Sequence, residues 1–175
     1  MTDPVRVRPI AEGDWDGIVA LESAAYTPLG LSEGQAALRS RAEASPGTCF
    51  VLDVGTQLAG YLLALPYPAF QYPELARAER PAADSRNLHV HDIVIAPALR
   101  RRGMAQRLLH RLGRIAGARG YERISLVAVG DSQRFWSARG FAAHPGIVDP
   151  RSYGANAVYM SQRVPALPPL PAEMS

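Results

Sequence analysis

The sequence predicts a domain of the mixed α/β (α+β) class, with a central mixed sheet of six or seven strands and flanking helices. Two observations predict it. Runs of β-branched or alternating apolar residues are interleaved with runs of helical period, in the order β-α-α-β-β-β-α-β-α-β. The strand candidates at 88–95 and 124–129 are separated by a full helix pattern, which demands a parallel crossover in a sheet otherwise joined by short turns. With 175 residues, 47% of them hydrophobic, the chain can bury a core of its own, placed here at 4–165 as one domain.

Val5-Arg6-Val7-Arg8-Pro9-Ile10 alternates apolar and basic residues, as a half-buried strand does. Asp14 is positioned to cap a helix from Trp15 to about Ala25, and Thr27-Pro28-Leu29-Gly30 breaks it. Ser32 opens a second helix, Glu33 to Ala44, closed by Ser45-Pro46-Gly47. Thr48–Val54 and Leu58–Leu65 read as a hairpin around Gly55-Thr56-Gln57. Residues 66–87 hold Pro66, Pro68, Pro73 and Pro81 among Tyr67, Phe70 and Tyr72, and a long aromatic loop of this kind is a candidate binding segment. Leu88–Ile95 is the next strand. A helix with one apolar face (Met104, Ala105, Leu108, Leu109, Leu112, Ile115, Ala116) ends at Gly120. Ile124–Val129 reads as a buried strand, Ser132–Arg139 as a short helix stopped by Gly140, and Ala157–Val164 as the last strand, with an additional strand possible near 141–148. The proline-rich segment 166–175 is expected to be extended and disordered.

No apolar run reaches the ~18 residues of a membrane span, and no secretory signal pattern opens the chain. Cys49 is the single cysteine, so an intrachain disulfide is excluded; a cytoplasmic setting without membrane association or metal is expected. All nineteen basic residues are arginine, against sixteen acids. Outside positions 100–102 the arginines are dispersed, a pattern that argues against a nucleic-acid partner and for a small polyanion. A homodimer is the default assembly.

Ile93-Val94-Ile95-Ala96-Pro97-Ala98-Leu99-Arg100-Arg101-Arg102-Gly103-Met104-Ala105-Gln106 is the most informative stretch. A strand stops at a proline, a basic turn with one glycine follows, and a helix starts at once. That order aims backbone N–H groups and a helix-dipole end of about +0.5 charge at one spot, which suits phosphate. There is no Gly-x-Gly-x-x-Gly, and the chain has no lysine for a Walker loop.

The spacing Arg100-x-x-Gly103-x-Ala105 resembles the pyrophosphate loop of the GNAT N-acetyltransferase superfamily, and Phe135-Trp136-Ser137-Ala138-Arg139-Gly140-Phe141 resembles that family's aromatic-x-x-x-Gly-Phe segment. The element order agrees from about residue 5 to 164. The resemblance implies a GNAT fold whose splayed strand pair holds acetyl-CoA, and transfer of its acetyl group to a primary amine by direct attack in a ternary complex. It assigns Ile93, Val94 and Ile95 to the pantetheine arm, with the Val94 N–H as oxyanion donor. It assigns Arg100, Arg101, Arg102, Gly103, Met104, Ala105 and Gln106 to the pyrophosphate, and Ser132, Phe135 and Trp136 to the same cofactor site. A CoA-binding module without turnover is the alternative.

His89 and His91 lie two apart on a strand and share a face by its period of two, which turns Asp92 to the other face. Counting back from the loop, His89 falls where some family members carry a carboxylate base, and either histidine has the chemistry to take the amine proton. The tyrosine that usually protonates the thiolate lies five residues before the phenylalanine of the Gly-Phe pair; here that position is Trp136, whose indole is too weak an acid. Tyr153, Tyr159, Ser132 or a water are the replacements, with unaided departure of the thiolate as the further alternative. Tyr67, Phe70 and Tyr72, the Tyr153-Gly154 turn and Asp92 are expected on the acceptor side. Cys49, within Cys49-Phe50-Val51-Leu52, reads as a core residue.

Overall fold

The computed structural model describes residues 3–79 and 84–165. Alternation in the first strand, β1 (Val5–Pro9), puts it on the edge of a sheet whose next members are the hairpin β2 (Cys49–Val54) and β3 (Gln57–Pro66). Gly55, with φ +60°, supplies the left-handed residue that the two-residue turn needs. The sheet continues through β4 (Asn87–Ile95), β5 (Arg123–Ala128), β6 (Ala142–His144) and β7 (Val158–Arg163), in the spatial order β1-β2-β3-β4-β5-β7-β6. Only β4 and β5 run parallel, joined by the crossover helix α3 (Met104–Ala118). The additional strand near 141–148 is β6.

Two apolar layers sandwich the sheet. Leu108, Leu112 and Ala116 of α3 pack with Leu62, Leu88, Val90 and Ile124 on one face. Helices α1 (Trp15–Tyr26) and α2 (Gln35–Ala44) cover the other, where Trp15, Ile18 and Leu38 meet Val51, Tyr61, Leu63 and Val94. Cys49 lies in this second layer, 1% exposed, and burial pushes its thiol up to about 12. Two further short α-helices lie among the described residues, α4 (Gln133–Ser137) and α5 (Pro150–Tyr153).

Three local expectations are corrected. The second helix begins at Gln35, not Glu33. Ser32 does not cap it: its hydroxyl and the Glu33 N–H both donate to the buried Glu22 carboxylate, at 2.6 and 2.9 Å. Asp14 does not cap α1 either, because its carboxylate is engaged by Arg8 and the Ala11 N–H. The single-turn helix α5 was not anticipated, although Asp149-Pro150 carries its signal: Pro150 opens it and the Asp149 side chain accepts the Arg151 N–H. The extended tail expected at 166–175 lies outside the described residues.

The feature that positions the site is in β4. Leu63 pairs with Asp92 and Ala64 with Val90, so His91 is an extra residue, a β-bulge. A bulge resets side-chain parity. Val90 belongs to the α3-side layer and Val94, four residues on, to the α1–α2 side. Beyond Val90 and Leu126, β4 and β5 share no further pairs, and the two strands splay apart.

Candidate active site

The splay leaves backbone groups of β4 without a strand partner. The Ala96 N–H donates to the Ala59 carbonyl at 2.8 Å, which makes that residue pair a hydrogen-bonded one. Antiparallel pairs alternate, so Val94, facing Tyr61, spends its N–H and C=O on β3, while those of Ile93 and Ile95 point into the splay. The assignment of the free donor to Val94 is thereby corrected to Ile93. Arg100 closes the far end by donating from Nε to the Ile95 carbonyl at 3.3 Å.

Next to that edge, a cleft of about 440 Å³ is lined by Ile95, Leu99, Arg100, Arg101, Gly103, Met104, Ala105, Gln106, Phe135 and Arg139. The structure thus gathers most of the residues expected around the pyrophosphate. Gly103 is the N-cap of α3 with φ +77°, and Arg101 is also left-handed at φ +64°. Left-handed residues in such a turn make neighbouring N–H groups converge into a nest. Among the described residues no side chain caps α3, so the N–H groups of its first turn, which no helix satisfies internally, stay available. Arg139, not singled out in the sequence, stacks its guanidinium 3.6 Å above the Phe135 ring and has its Nε unpartnered among the described residues. Its signal was the four-residue helical spacing from Phe135. Arg102 is exposed outside the cleft, and Ser132 gives its hydroxyl to the Val129 carbonyl. Trp136 faces the core, 6% exposed, edge-on to Phe135 and Phe141.

A second, much smaller cavity, of about 40 Å³, opens on the α1 side where β4 and β5 begin to diverge. His91 and Asp92 come to it from β4, Val127 and Val129 from β5, Tyr26, Leu31 and Glu33 from the first helices and their connection, and Leu75 and Tyr153 close it. The bulge places Asp92 and His91 in one cavity, correcting the expectation that Asp92 turns to the opposite face.

The His91 side chain is 1% exposed, and its Nε2 shares a short hydrogen bond with the Glu33 carboxylate. The other Glu33 oxygen accepts Arg41 Nη2 at 2.9 Å. Burial pushes the Glu33 carboxyl up, but His91 and Arg41 outweigh it and hold it below the usual carboxylate range. Asp92 accepts the Tyr61 hydroxyl at Oδ2, and burial raises its carboxyl to about 6. Among the described residues two buried atoms of this cavity lack a partner: His91 Nδ1 and Asp92 Oδ1. Glu33 was missed as a site residue because nothing local ties it to a histidine 58 positions away.

His89 is placed elsewhere. It is 1% exposed, hydrogen-bonded through Nδ1 to Ser125 Oγ at 2.9 Å and stacked against Tyr159. It is His91 that reaches the cavity, not His89. The aromatic loop is held by long-range hydrogen bonds. Tyr159 accepts the Phe70 N–H at 2.8 Å, Tyr72 accepts the Asp149 N–H at 2.9 Å, and the Tyr67 carbonyl accepts from Ser85 and Asn87. Tyr67, Phe70 and Tyr72 therefore anchor the segment, and Leu75 is its residue at the cavity.

Burial lowers His89 to about 3, helped by the nearby His91 and Arg41 charges. The unfolded chain takes up its proton near pH 6.5, so this contribution to stability is complete above pH 6.5 and is lost as pH falls toward 3. The raised Asp92 has the opposite sign: between about pH 6 and 4, acid relieves the cost of its buried charge. Thermal unfolding compared at pH 7 and 4.5 should show a shallower acid loss for His89→Gln and a steeper one for Asp92→Asn.

Among the described residues no helix is long and apolar enough to cross a membrane, and no group of three or more His, Cys, Asp or Glu side chains is placed to hold a metal ion. The model of the acetyltransferase (GNAT) family matches residues 15–141, and the chain belongs to this family. A search of curated proteins finds no match. The fold is similar to that of the loading GNATL domain of CurA from Lyngbya majuscula (TM-score 0.77, 14% identity, 93% of this chain and 98% of that one). It is also similar to Ard1 from Thermoplasma volcanium (TM-score 0.70, 18% identity, 92% and 98%). N-acetylglutamate synthase from Neisseria gonorrhoeae, complexed with coenzyme A and N-acetyl-glutamate, aligns with TM-score 0.69 at 18% identity over 93% of this chain and 35% of that one.

Proposed function

We propose that this protein is an N-acetyltransferase that moves the acetyl group of acetyl-CoA to a primary amine by direct attack in a ternary complex. The observation that carries the reading is the pairing of two half-sites at one splay. On one side is an uncapped helix N-terminus with a left-handed basic turn; on the other are the unpartnered His91 Nδ1 and Asp92 Oδ1. The first suits a pyrophosphate and the second an amine. The CoA complex of N-acetylglutamate synthase supports the cofactor assignment.

In this reading the residues divide the work. The nest at Arg101–Gln106 holds the pyrophosphate, and Ile93 and Ile95 pair with the pantetheine arm. Glu33 fixes His91 with its Nε2–H donated, which leaves Nδ1 to take the proton as the amine nitrogen attacks the acetyl carbon. The Ile93 N–H donates to the oxyanion, and the C–S bond then breaks. Cys49, buried with a raised thiol, stays out of the chemistry.

Tyr153 lines the cavity and donates its hydroxyl to the Pro73 carbonyl, whereas Tyr159, 1% exposed, accepts the Phe70 N–H outside it; on position alone the proton for the departing thiolate is assigned to Tyr153, which must give up Pro73 to deliver it. Tyr153→Phe should lower turnover about 100-fold with CoA affinity intact, and Tyr159→Phe should affect stability more than turnover. Equal turnover in both variants would hand the proton to water.

The test of the function itself is release of free thiol from acetyl-CoA against a panel of monoamines, polyamines, amino acids, aminoglycosides and short peptides. Turnover with an amine supports the reading. Tight CoA binding with no thiol release from any of them would leave a CoA-binding module.

A further inference from the structure

From Ile93 to Tyr121 the chain carries seven arginines and no acidic residue. Three of them, Arg107, Arg111 and Arg114, are three or four residues apart and so share one side of α3, where they are exposed. Leu108, Leu112 and Ala116 bury the other side. Among the described residues no carboxylate pairs with any of the three, although Arg8, Arg41 and Arg151 elsewhere are all paired. Together with His110, and with Val5 and Val7 of β1, they line an open groove of about 730 Å³. The strand that forms its other wall, β1, is the outermost of the sheet. The Gly55 N–H donates to the Pro4 carbonyl at 2.8 Å, which makes that residue pair a hydrogen-bonded one. Antiparallel pairs alternate, so Val5 and Val7 turn their N–H and C=O groups away from β2, to the open edge. Arg111 reaches the same edge, donating from Nη2 to the Val7 carbonyl at 2.9 Å. The groove thus sets a row of guanidinium groups beside a row of strand-edge backbone groups.

We propose that this groove docks an extended acidic segment of a partner protein, added as a strand along the outer edge of β1 with alternate Asp or Glu side chains on the α3 arginines. The spacings agree. Alternate residues of a strand lie roughly 6.6 Å apart, and Arg107 and Arg111, four residues apart on a helix, are separated by about 6 Å along its axis. Partner side chains on this face pass over Val5 and Val7, which belong to the α3-side layer, before their carboxylates meet the guanidinium groups. The Val7 carbonyl has a second lone pair for a partner N–H while Arg111 occupies the first. The open edge singles out a polypeptide, because a nucleic-acid strand has no row of amides to pair with it. Among the described residues no aromatic side chain lines the groove to stack a base either. A second copy related by a two-fold axis would set these arginines against their own counterparts. The proposal is independent of the acetyl-transfer reading, since the groove shares only Gly103 and Gln106 with the cleft assigned to the pyrophosphate.

Fluorescence anisotropy of a labelled Thr-Glu-Thr-Glu-Thr-Glu-Thr peptide, blocked at both ends, tests this on the full chain at low salt, with and without CoA. The peptide should bind, and its Glu-to-Gln counterpart should bind at least ~10-fold more weakly, the combined effect of several surface ion pairs. Arg107→Glu combined with Arg114→Glu should cost the acidic peptide a similar factor. Strand addition has its own signature: at saturating peptide the Val5 and Val7 amides should exchange with solvent at least ~10-fold more slowly. That measurement uses the unaltered protein, so it decides the matter even if the double variant fails to fold. Absent binding, equal binding of the Gln peptide, or unchanged exchange at Val5 and Val7 overturns the proposal. Tighter binding of a thymidine oligonucleotide of equal charge overturns it in favour of nucleic acid. Displacement of the peptide by CoA overturns it as well, by assigning the arginines to the cofactor.

Discussion

His91→Gln should lower kcat by about 100- to 10,000-fold and leave the Kd for CoA unchanged, the span that general base catalysis typically contributes. The imidazole is the one group at the cavity that combines an unpartnered nitrogen with a carboxylate fixing the other. Glutamine keeps roughly the size and a hydrogen bond to Glu33 but has no nitrogen able to accept the proton. Single-turnover kinetics and CoA titration on the same sample check both halves, and full activity would remove His91 as base. Glu33→Gln is a less direct probe. It also takes a charge from the buried Arg41, and breaking a buried ion pair commonly costs about 3–5 kcal/mol. A fall in stability should therefore accompany its fall in turnover, whereas His91→Gln spares the Arg41 pairing.

Gly103→Val should weaken CoA binding by at least about 2 kcal/mol, roughly 30-fold, the scale of one or two charge-assisted hydrogen bonds. Its origin is conformational. The site of a Cβ is uncrowded, with only Gln106 Oε1 at 3.5 Å, but φ is +77°, a region that a β-branched residue avoids. The turn would open to relieve this, and the N–H groups of the nest would diverge. A Cβ would in addition hold a phosphate away from the backbone. Isothermal titration with CoA, alongside thermal unfolding, reads the two effects apart. An unchanged Kd would remove the phosphate-loop assignment.

The basic turn was legible because everything it needs is local. A proline ends β4, Gly103 permits the left-handed cap, and helical period begins within two residues. Phe135 was legible for the same reason, through its spacing to Gly140-Phe141. Trp136 shows the limit of such reading: matching a family position said nothing of its ring direction, and the helix turns that ring into the core between Phe135 and Phe141. The aromatic loop was found, but not its anchoring, since Phe70 and Tyr72 meet hydrogen-bond partners on β7 and before α5, 89 and 77 residues away.

By itself the sequence determined the order of strands and helices, the parallel crossover and the basic turn that opens α3. Each follows from periodicity or turn chemistry within a short window, where backbone sterics and burial act on neighbours in the chain. Only the tertiary structure decided which histidine reaches the cavity beside the β4–β5 splay. The direction of Asp92 depends on how β4 registers against β3, and the single extra residue at His91 reverses the parity that a period of two predicts. The carboxylate that orients His91 arrives from the far side of one helix and two strands, because a buried imidazole must find its partner in space rather than in sequence.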